Sequence, residues 1–194
     1  MAIELAPNLP SPYISLANFY MRQQVMDKAK SQYAAALEKE PNNLSAHMYL
    51  GMIYEIEKNF VKAKESYEKA LSISPNFPPA ANNLSYIYAE RGGNLDLALN
   101  LAQKAKEQVP DDPHISDTLG WIYCKKNVPS RAVAYLKEAA EKVPTHPLIR
   151  YHLGMAYHKN GNRDLAKKEL NEALKIDPKF QGADEARKVL DALK

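Results

Sequence analysis

Residues 44–77 read LSAHMYLGMIYEIEKNFVKAKESYEKALSISPNF, and this stretch decides how the rest of the chain is organised. Small and aromatic side chains hold fixed positions in it, including Gly51, Tyr54 and Ala63, and Pro75 closes it. The same residue types return 34 residues away on both sides. A fixed period of this length indicates a repeat protein, in which each unit buries its apolar face against its neighbours.

The repeat divides the chain into five complete units and two flanking segments. The eighth position of every unit is small, and the eleventh is always tyrosine: Tyr20, Tyr54, Tyr88, Tyr123 and Tyr157. The predicted boundaries are residues 1–9 for the tail of a truncated preceding repeat, residues 10–43, 44–77, 78–112, 113–146 and 147–180 for the five repeats, and residues 181–194 for a capping helix.

Each unit is predicted to be a pair of α-helices. Its apolar residues recur at spacings of three and four in two segments separated by a short polar break, which is the pattern of a helical hairpin. The breaks contain helix-ending residues such as Gly161, and Asp112 precedes a proline suited to a first helical turn. The expected fold is therefore all-α.

The two ends of the chain carry separate expectations. Residues 2–9, AIELAPNL, match the close of later units, so we expect the natural protein to continue upstream with further repeat sequence. Residues 181–194 place Ala183, Ala186 and Val189 on one helical face. Such a helix would cover the apolar flank of the last repeat, so it is predicted to cap the array.

Composition argues against several classes of protein. The 26 basic and 23 acidic residues are intermingled and leave a net charge of +3, so no basic face for nucleic acid is expected. The sequence has no run of 18 apolar residues, so no membrane-spanning helix is expected. The single Cys124 excludes an internal disulfide and a CxxC metal or redox site.

The repeated positions resemble the tetratricopeptide repeat family, whose 34-residue unit has a small residue at position 8, tyrosine at 11, alanine at 20 and 27, and proline at 32. The likeness covers residues 10–180. It implies a right-handed superhelical solenoid of helix-turn-helix hairpins, whose first helices line a concave groove that binds peptides or proteins. Residues 117–127 and 149–161 are similar to long bacterial repeat proteins of envelope and exopolysaccharide systems, which leaves both cytoplasm and periplasm open.

Positions 2, 5, 9 and 12 of each first helix form one stripe, because spacings of three and four stay on one helical face. We call it the first-helix stripe; in the second repeat its members are Ser45, Met48, Met52 and Glu55. Methionine and aromatic side chains dominate its middle, and such side chains offer adaptable contacts and large buried area to a peptide. The predicted partner-binding residues, on the stripe or beside it, are Asn18, Met48, Met52, Asn82, Asn83, Tyr86, Asp117, Trp121, Tyr151, Met155 and His158.

An alternative explains the same stripe without a partner. Its side chains would then only pack neighbouring first helices against each other. The sequence leaves both explanations open. Alanine at Tyr86 and Trp121 separates them, since a binding role predicts lost partner capture with the helical signal intact.

No catalytic, metal or cofactor site is predicted, so the chain is not expected to be an enzyme. The five histidines show no spacing of three or four, so no two lie on one helical turn as zinc ligands. The sequence has no phosphate-binding loop and no nucleophile elbow. A clamp for the carboxylate terminus of a chaperone needs lysine and arginine at set groove positions, and no frame of three repeats supplies them.

Three functions remain at this point. The first is a scaffold that binds a partner peptide or subunit in the groove. The second is a targeting arm of an enzyme, such as a glycosyltransferase, whose catalytic domain lies upstream. The third is self-assembly through an exposed N-terminal repeat, where Leu16 and Phe19 would lack a covering helix.

Overall fold

The computed structural model describes residues 8–194, and this part of the chain contains eleven α-helices and no strand. The all-α prediction is confirmed. Residues 1–7, most of the predicted N-terminal tail, lie outside the described residues. The helices are α1 (Pro10–Arg22), α2 (Met26–Lys39), α3 (Leu44–Ile56), α4 (Phe60–Ile73), α5 (Pro78–Glu90), α6 (Leu95–Gln108), α7 (Pro113–Lys125), α8 (Pro129–Lys142), α9 (Pro147–Lys159), α10 (Arg163–Ile176) and α11 (Ala183–Ala192).

Local signals in the sequence explain where several helices begin. The Asn43 side chain accepts a hydrogen bond from the backbone N–H of Ala46 at 3.0 Å and so caps α3. Asp112 does the same for α7 through the N–H of His114, at 2.7 Å, just before a proline in the first turn. Each cap satisfies a backbone donor that a helix start leaves without an intrahelical partner.

The turns inside the hairpins all use a residue with positive φ. Gly161 has φ +80° between α9 and α10, as its position in the sequence predicts. Gln24, Lys58 and Asn127 adopt φ values of 56°, 58° and 59° in three other hairpin turns. The left-handed conformation costs a residue with a Cβ about 1–2 kcal/mol, so packing of the two helices must hold these turns in place.

The chain forms two compact bodies, Met1–Leu84 and Ser85–Lys194, and the division falls within α5. In the N-terminal body, α1 with α2 and α3 with α4 form hairpins, and α2 packs against α3. Its core combines small and large side chains: Ala17, Ala29, Tyr33, Ala46, Leu50 and Ile53.

The C-terminal body contains the hairpins α7–α8 and α9–α10, with further packing of α6 on α7 and of α9 on both α7 and α8. The eighth position of the repeat needs a small residue here, because a larger side chain would clash with the paired helix. A Cβ added at Gly120 would lie 2.6 Å from Leu136 Cγ, and one added at Gly154 would lie 2.7 Å from Leu170 Cγ. Close approach of the paired helices therefore requires these glycines.

The last helix covers the end of the array, as predicted. Helix α11 contacts α10 and α9, and it buries Ala183, Ala186 and Val189. The Arg163 guanidinium donates a hydrogen bond to the Leu193 carbonyl at 3.1 Å, which ties the end of the chain to the start of α10.

Candidate functional site

In the N-terminal body, five of the predicted binding residues lie on α1, α3 and α5. Met48 is buried, with 8% of its surface exposed, whereas Asn18, Met52, Asn82 and Asn83 are half-buried. Half-buried side chains pack partly against the protein and still reach solvent. A partner can contact these side chains without unfolding the helices.

A buried tyrosine holds the first of these amides. Tyr33 on α2 donates its O–H to Asn18 Oδ1 on α1 at 2.6 Å, and its ring stacks on Tyr49 with centroids 5.4 Å apart. The Asn18 Nδ2 group makes no hydrogen bond within the part of the chain that the structure describes. The amide is thus oriented through its oxygen, and its N–H groups remain as donors.

A second buried tyrosine organises the polar groups of the next repeat. Tyr67 on α4 donates its O–H to the carboxylate of Glu55 on α3 and accepts a hydrogen bond from Asn83 Nδ2 at 3.1 Å. Asn82 Nδ2 donates in turn to Asn83 Oδ1 at 3.3 Å. The four side chains form one hydrogen-bonded relay.

Burial sets the protonation of this relay. It raises the pKa of the Tyr67 phenol, and the neighbouring Glu55 carboxylate raises it further, so Tyr67 remains an O–H donor. Burial also raises the pKa of Glu55, while the hydrogen bond from Tyr67 acts in the opposite direction. The ionised form of Glu55 is therefore less favourable here than in water.

In the C-terminal body, the remaining predicted residues differ in exposure. Asp117, Trp121 and Tyr151 are buried, with 6%, 5% and 7% of their surfaces exposed. The other three are half-buried: Tyr86, Met155 and His158.

The three buried residues meet around a histidine that the sequence analysis did not single out. The His152 ring stacks on Trp121 with centroids 4.1 Å apart, and Tyr86 and Tyr151 flank it at 6.2 and 5.5 Å. Its Nδ1–H donates to Asp117 Oδ1 at 2.8 Å. One sequence signal existed: Asp117 and His152 occupy adjacent positions, the fifth and the sixth, of consecutive first helices.

The edge of this cluster carries its own ion pair. Trp121 Nε1 donates to Glu90 Oε1 at 2.6 Å, and Lys125 Nζ lies 3.2 Å from the same oxygen and 4.7 Å from the centre of the Trp121 ring. Burial raises the pKa of Glu90, but the Trp121 and Lys125 bonds outweigh it and leave that pKa below its usual value.

Two kinds of chemical group in residues 8–194 bear on catalysis, namely metal ligands and a reactive thiol. No group of three histidine, cysteine or acidic side chains there could hold a metal ion. Burial raises the pKa of the Cys124 thiol, which disfavours the reactive thiolate. Within the same residues, no helix combines the length and apolar character needed to cross a membrane.

Comparisons with known proteins agree on one family. Family models described as tetratricopeptide repeat match residues 45–77 and 129–184. A search of curated proteins gives no significant match.

Solved structures share the fold over nearly the whole chain. YrrB, described as a tetratricopeptide repeat protein with an unusual peptide-binding site, is 26% identical over 96% of each chain, with a TM-score of 0.72. PilW, described as a widely conserved type IV pilus biogenesis factor, is 23% identical over 94% of this chain and 90% of its own, with a TM-score of 0.75. TTC0263 from Thermus thermophilus is 21% identical over 95% of this chain and 98% of its own, with a TM-score of 0.68.

Proposed function

We propose that this chain, which belongs to the tetratricopeptide repeat family, is a scaffold without catalytic activity. It binds a protein or peptide partner on the first-helix stripe of its N-terminal body. The observation that carries the proposal is the pair of buried tyrosines, Tyr33 and Tyr67, which hold amide side chains at a half-exposed surface. The similarity to YrrB, described as having a peptide-binding site, supports the same class of partner.

The chemistry of the stripe suits a peptide main chain. An amide side chain both donates and accepts hydrogen bonds, so Asn18, Asn82 and Asn83 match the N–H and C=O groups of an extended segment. Met52 on α3 offers a flexible apolar contact that adapts to different side chains. Together these groups would bind the backbone of the partner and tolerate variety in its sequence.

For the C-terminal body, we propose that the stripe residues mainly pack the helices of that body against each other. Asp117, Trp121 and Tyr151 are buried in contacts with their own body, so they offer little surface to a partner. The half-buried Met155 and His158 remain candidates for a smaller contact on α9. A bacterial envelope system is the setting we propose, on the likeness of residues 117–127 and 149–161 to repeat proteins of such systems.

A pull-down tests the proposal with matched variants. The stripe variant carries two substitutions. Asn18→Asp keeps an oxygen acceptor for Tyr33 but removes the N–H donors, and Met52→Ala removes the thioether. The control carries Glu38→Ala and Glu68→Ala, at exposed positions on α2 and α4. The scaffold role predicts a protein from the source cells that the wild type and the control retain and the stripe variant loses. Equal retention by all three would refute the stripe as the binding surface.

A second candidate function has one supporting observation. Phe19 on α1 leaves 48% of its surface exposed, and a large exposed apolar side chain favours contact with another molecule. Self-association through this first repeat would bury the ring, and it predicts a mass that rises with concentration.

A further inference from the structure

We infer that the partner segment bound by the N-terminal body carries a lysine or arginine whose cationic group pairs with Glu55. The inference rests on the proposed function, because it names the chemistry of the partner at the same stripe. It predicts a preference for one basic position in an otherwise tolerant peptide.

Glu55 lies where a bound segment would pass. It follows Met52 by three residues and Met48 by seven, so the three side chains share one face of α3. The buried Tyr67 holds one carboxylate oxygen through its O–H, and Asn83 holds the tyrosine. The carboxylate is therefore fixed in direction before any partner arrives, which lowers the entropy cost of binding.

The described residues, 8–194, supply no cation to this carboxylate. Among residues 8–194, Glu55 forms no ion pair, and its second oxygen has no hydrogen-bond partner. Two basic residues of α2 and α4 are engaged elsewhere: Lys30 pairs with Glu57, and Lys62 lies over the Tyr54 ring. A half-buried carboxylate without a counter-charge is unfavourable, and a cation from outside would relieve that cost.

A second carboxylate in the chain shows the satisfied version of this arrangement. Glu90 ends α5 and likewise accepts a hydrogen bond from a buried aromatic side chain, here Trp121. It differs in having Lys125 at 3.2 Å, and its pKa falls where that of Glu55 rises. No described residue gives Glu55 the cation that Lys125 gives to Glu90, and this charge is what the partner is expected to bring.

The surroundings of Glu55 favour a side-chain cation over a metal ion. A metal ion needs several strong ligands, and no group of three such side chains occurs in the described part of the chain. A lysine or arginine needs one carboxylate for its head and an apolar surface for its methylene stem. Met52 supplies that surface beside Glu55, since it is half-buried on the same helical face.

Random linear peptides displayed on phage provide the test. They are selected on the wild-type protein, and the affinities of the selected peptides are measured by fluorescence anisotropy. Each basic residue is then replaced in turn, arginine by citrulline and lysine by norleucine, which remove the charge and nearly keep the shape. If a charge-assisted hydrogen bond forms, replacing the basic residue at one position should weaken the affinity of the peptide about 10-fold to 100-fold.

Variants of the protein locate the effect. In Glu55→Gln, which keeps an oxygen acceptor for Tyr67, the charged and neutral peptides should bind equally well. Glu57→Gln is the matched control, because Glu57 is exposed and pairs with Lys30; it should keep the full preference. The exchange within the peptide uses the wild-type protein, so it tests the preference for a basic residue without any protein variant.

Two other outcomes overturn different claims. In the first, the selected peptides bind Met52→Ala more weakly but need no basic residue, and Glu55→Gln does not change their affinity. This result would overturn the pairing with Glu55 and leave the proposed function standing. A selection whose peptides bind Asn18→Asp and Met52→Ala as well as wild type, or that yields no binder at all, would overturn the stripe as the binding surface and the pairing with it.

Discussion

Replacing Trp121 by alanine should destabilise the C-terminal body severely. The side chain leaves only 5% of its surface exposed, stacks on His152 at 4.1 Å and donates to Glu90 at 2.6 Å. Truncation of a buried tryptophan to alanine costs about 3–5 kcal/mol. A folded domain has an unfolding free energy of only about 5–15 kcal/mol, so this loss is a large part of its total stability.

A second substitution separates the stack from the hydrogen bond. Trp121→Phe keeps an aromatic ring against His152 and loses the Nε1–H donor to Glu90. A hydrogen bond to a charged group contributes about 1.5–3 kcal/mol, and Lys125 still neutralises the carboxylate. Trp121→Phe should therefore lose less free energy of unfolding than Trp121→Ala.

Urea unfolding followed by circular dichroism measures both losses. The control is Leu165→Ala on α10, at a side chain that is 42% exposed, where the change should stay within about 0.5 kcal/mol. Hydrogen exchange should assign the loss in Trp121→Ala to α7 and α9. A Trp121→Ala midpoint equal to that of the control would refute the packing role, and Trp121 would again be a candidate for partner contact.

Three further predictions follow from single positions. Gly120→Ala should cost about 1–3 kcal/mol of unfolding free energy, since its Cβ would lie 2.6 Å from Leu136 Cγ; urea unfolding measures this, and an unchanged midpoint would contradict it. Glu55→Gln should stabilise the free chain at neutral pH. Burial raises the folded-state pKa of Glu55, so its ionised form destabilises the folded wild type above that pKa. As the pH falls through this pKa, Glu55 becomes protonated and the unfolding free energy of the wild type approaches that of Glu55→Gln. Urea titrations at several pH values in which the two free energies do not converge would contradict this. Phe19→Ser should abolish any concentration-dependent rise in mass seen by sedimentation, and a wild-type mass that stays monomeric would exclude self-association through Phe19.

The fold class follows from the amino-acid order, and so does the helical face on which the first-helix stripe is predicted. Both depend on local rules: an apolar period close to 3.6 residues, small residues at helix contacts such as Gly120, and caps such as Asp112. Each signal is repeated in consecutive units, so chance agreement is excluded and the two helices of each hairpin can be predicted from short windows. The positions of Asn18 and Asn82 on the stripe follow from the helical period alone.

Packing between helices sets which members of the stripe are accessible and which are enclosed. The Asp117–His152 bond joins residues 35 apart, and the Asn83–Tyr67 bond joins residues 16 apart on different helices. Such contacts depend on how far one helix is displaced against the next, and a periodic pattern carries no information about that displacement. The absence of a cation near Glu55 within the described residues is of the same kind, because it is a property of every helix packed around the carboxylate rather than of α3.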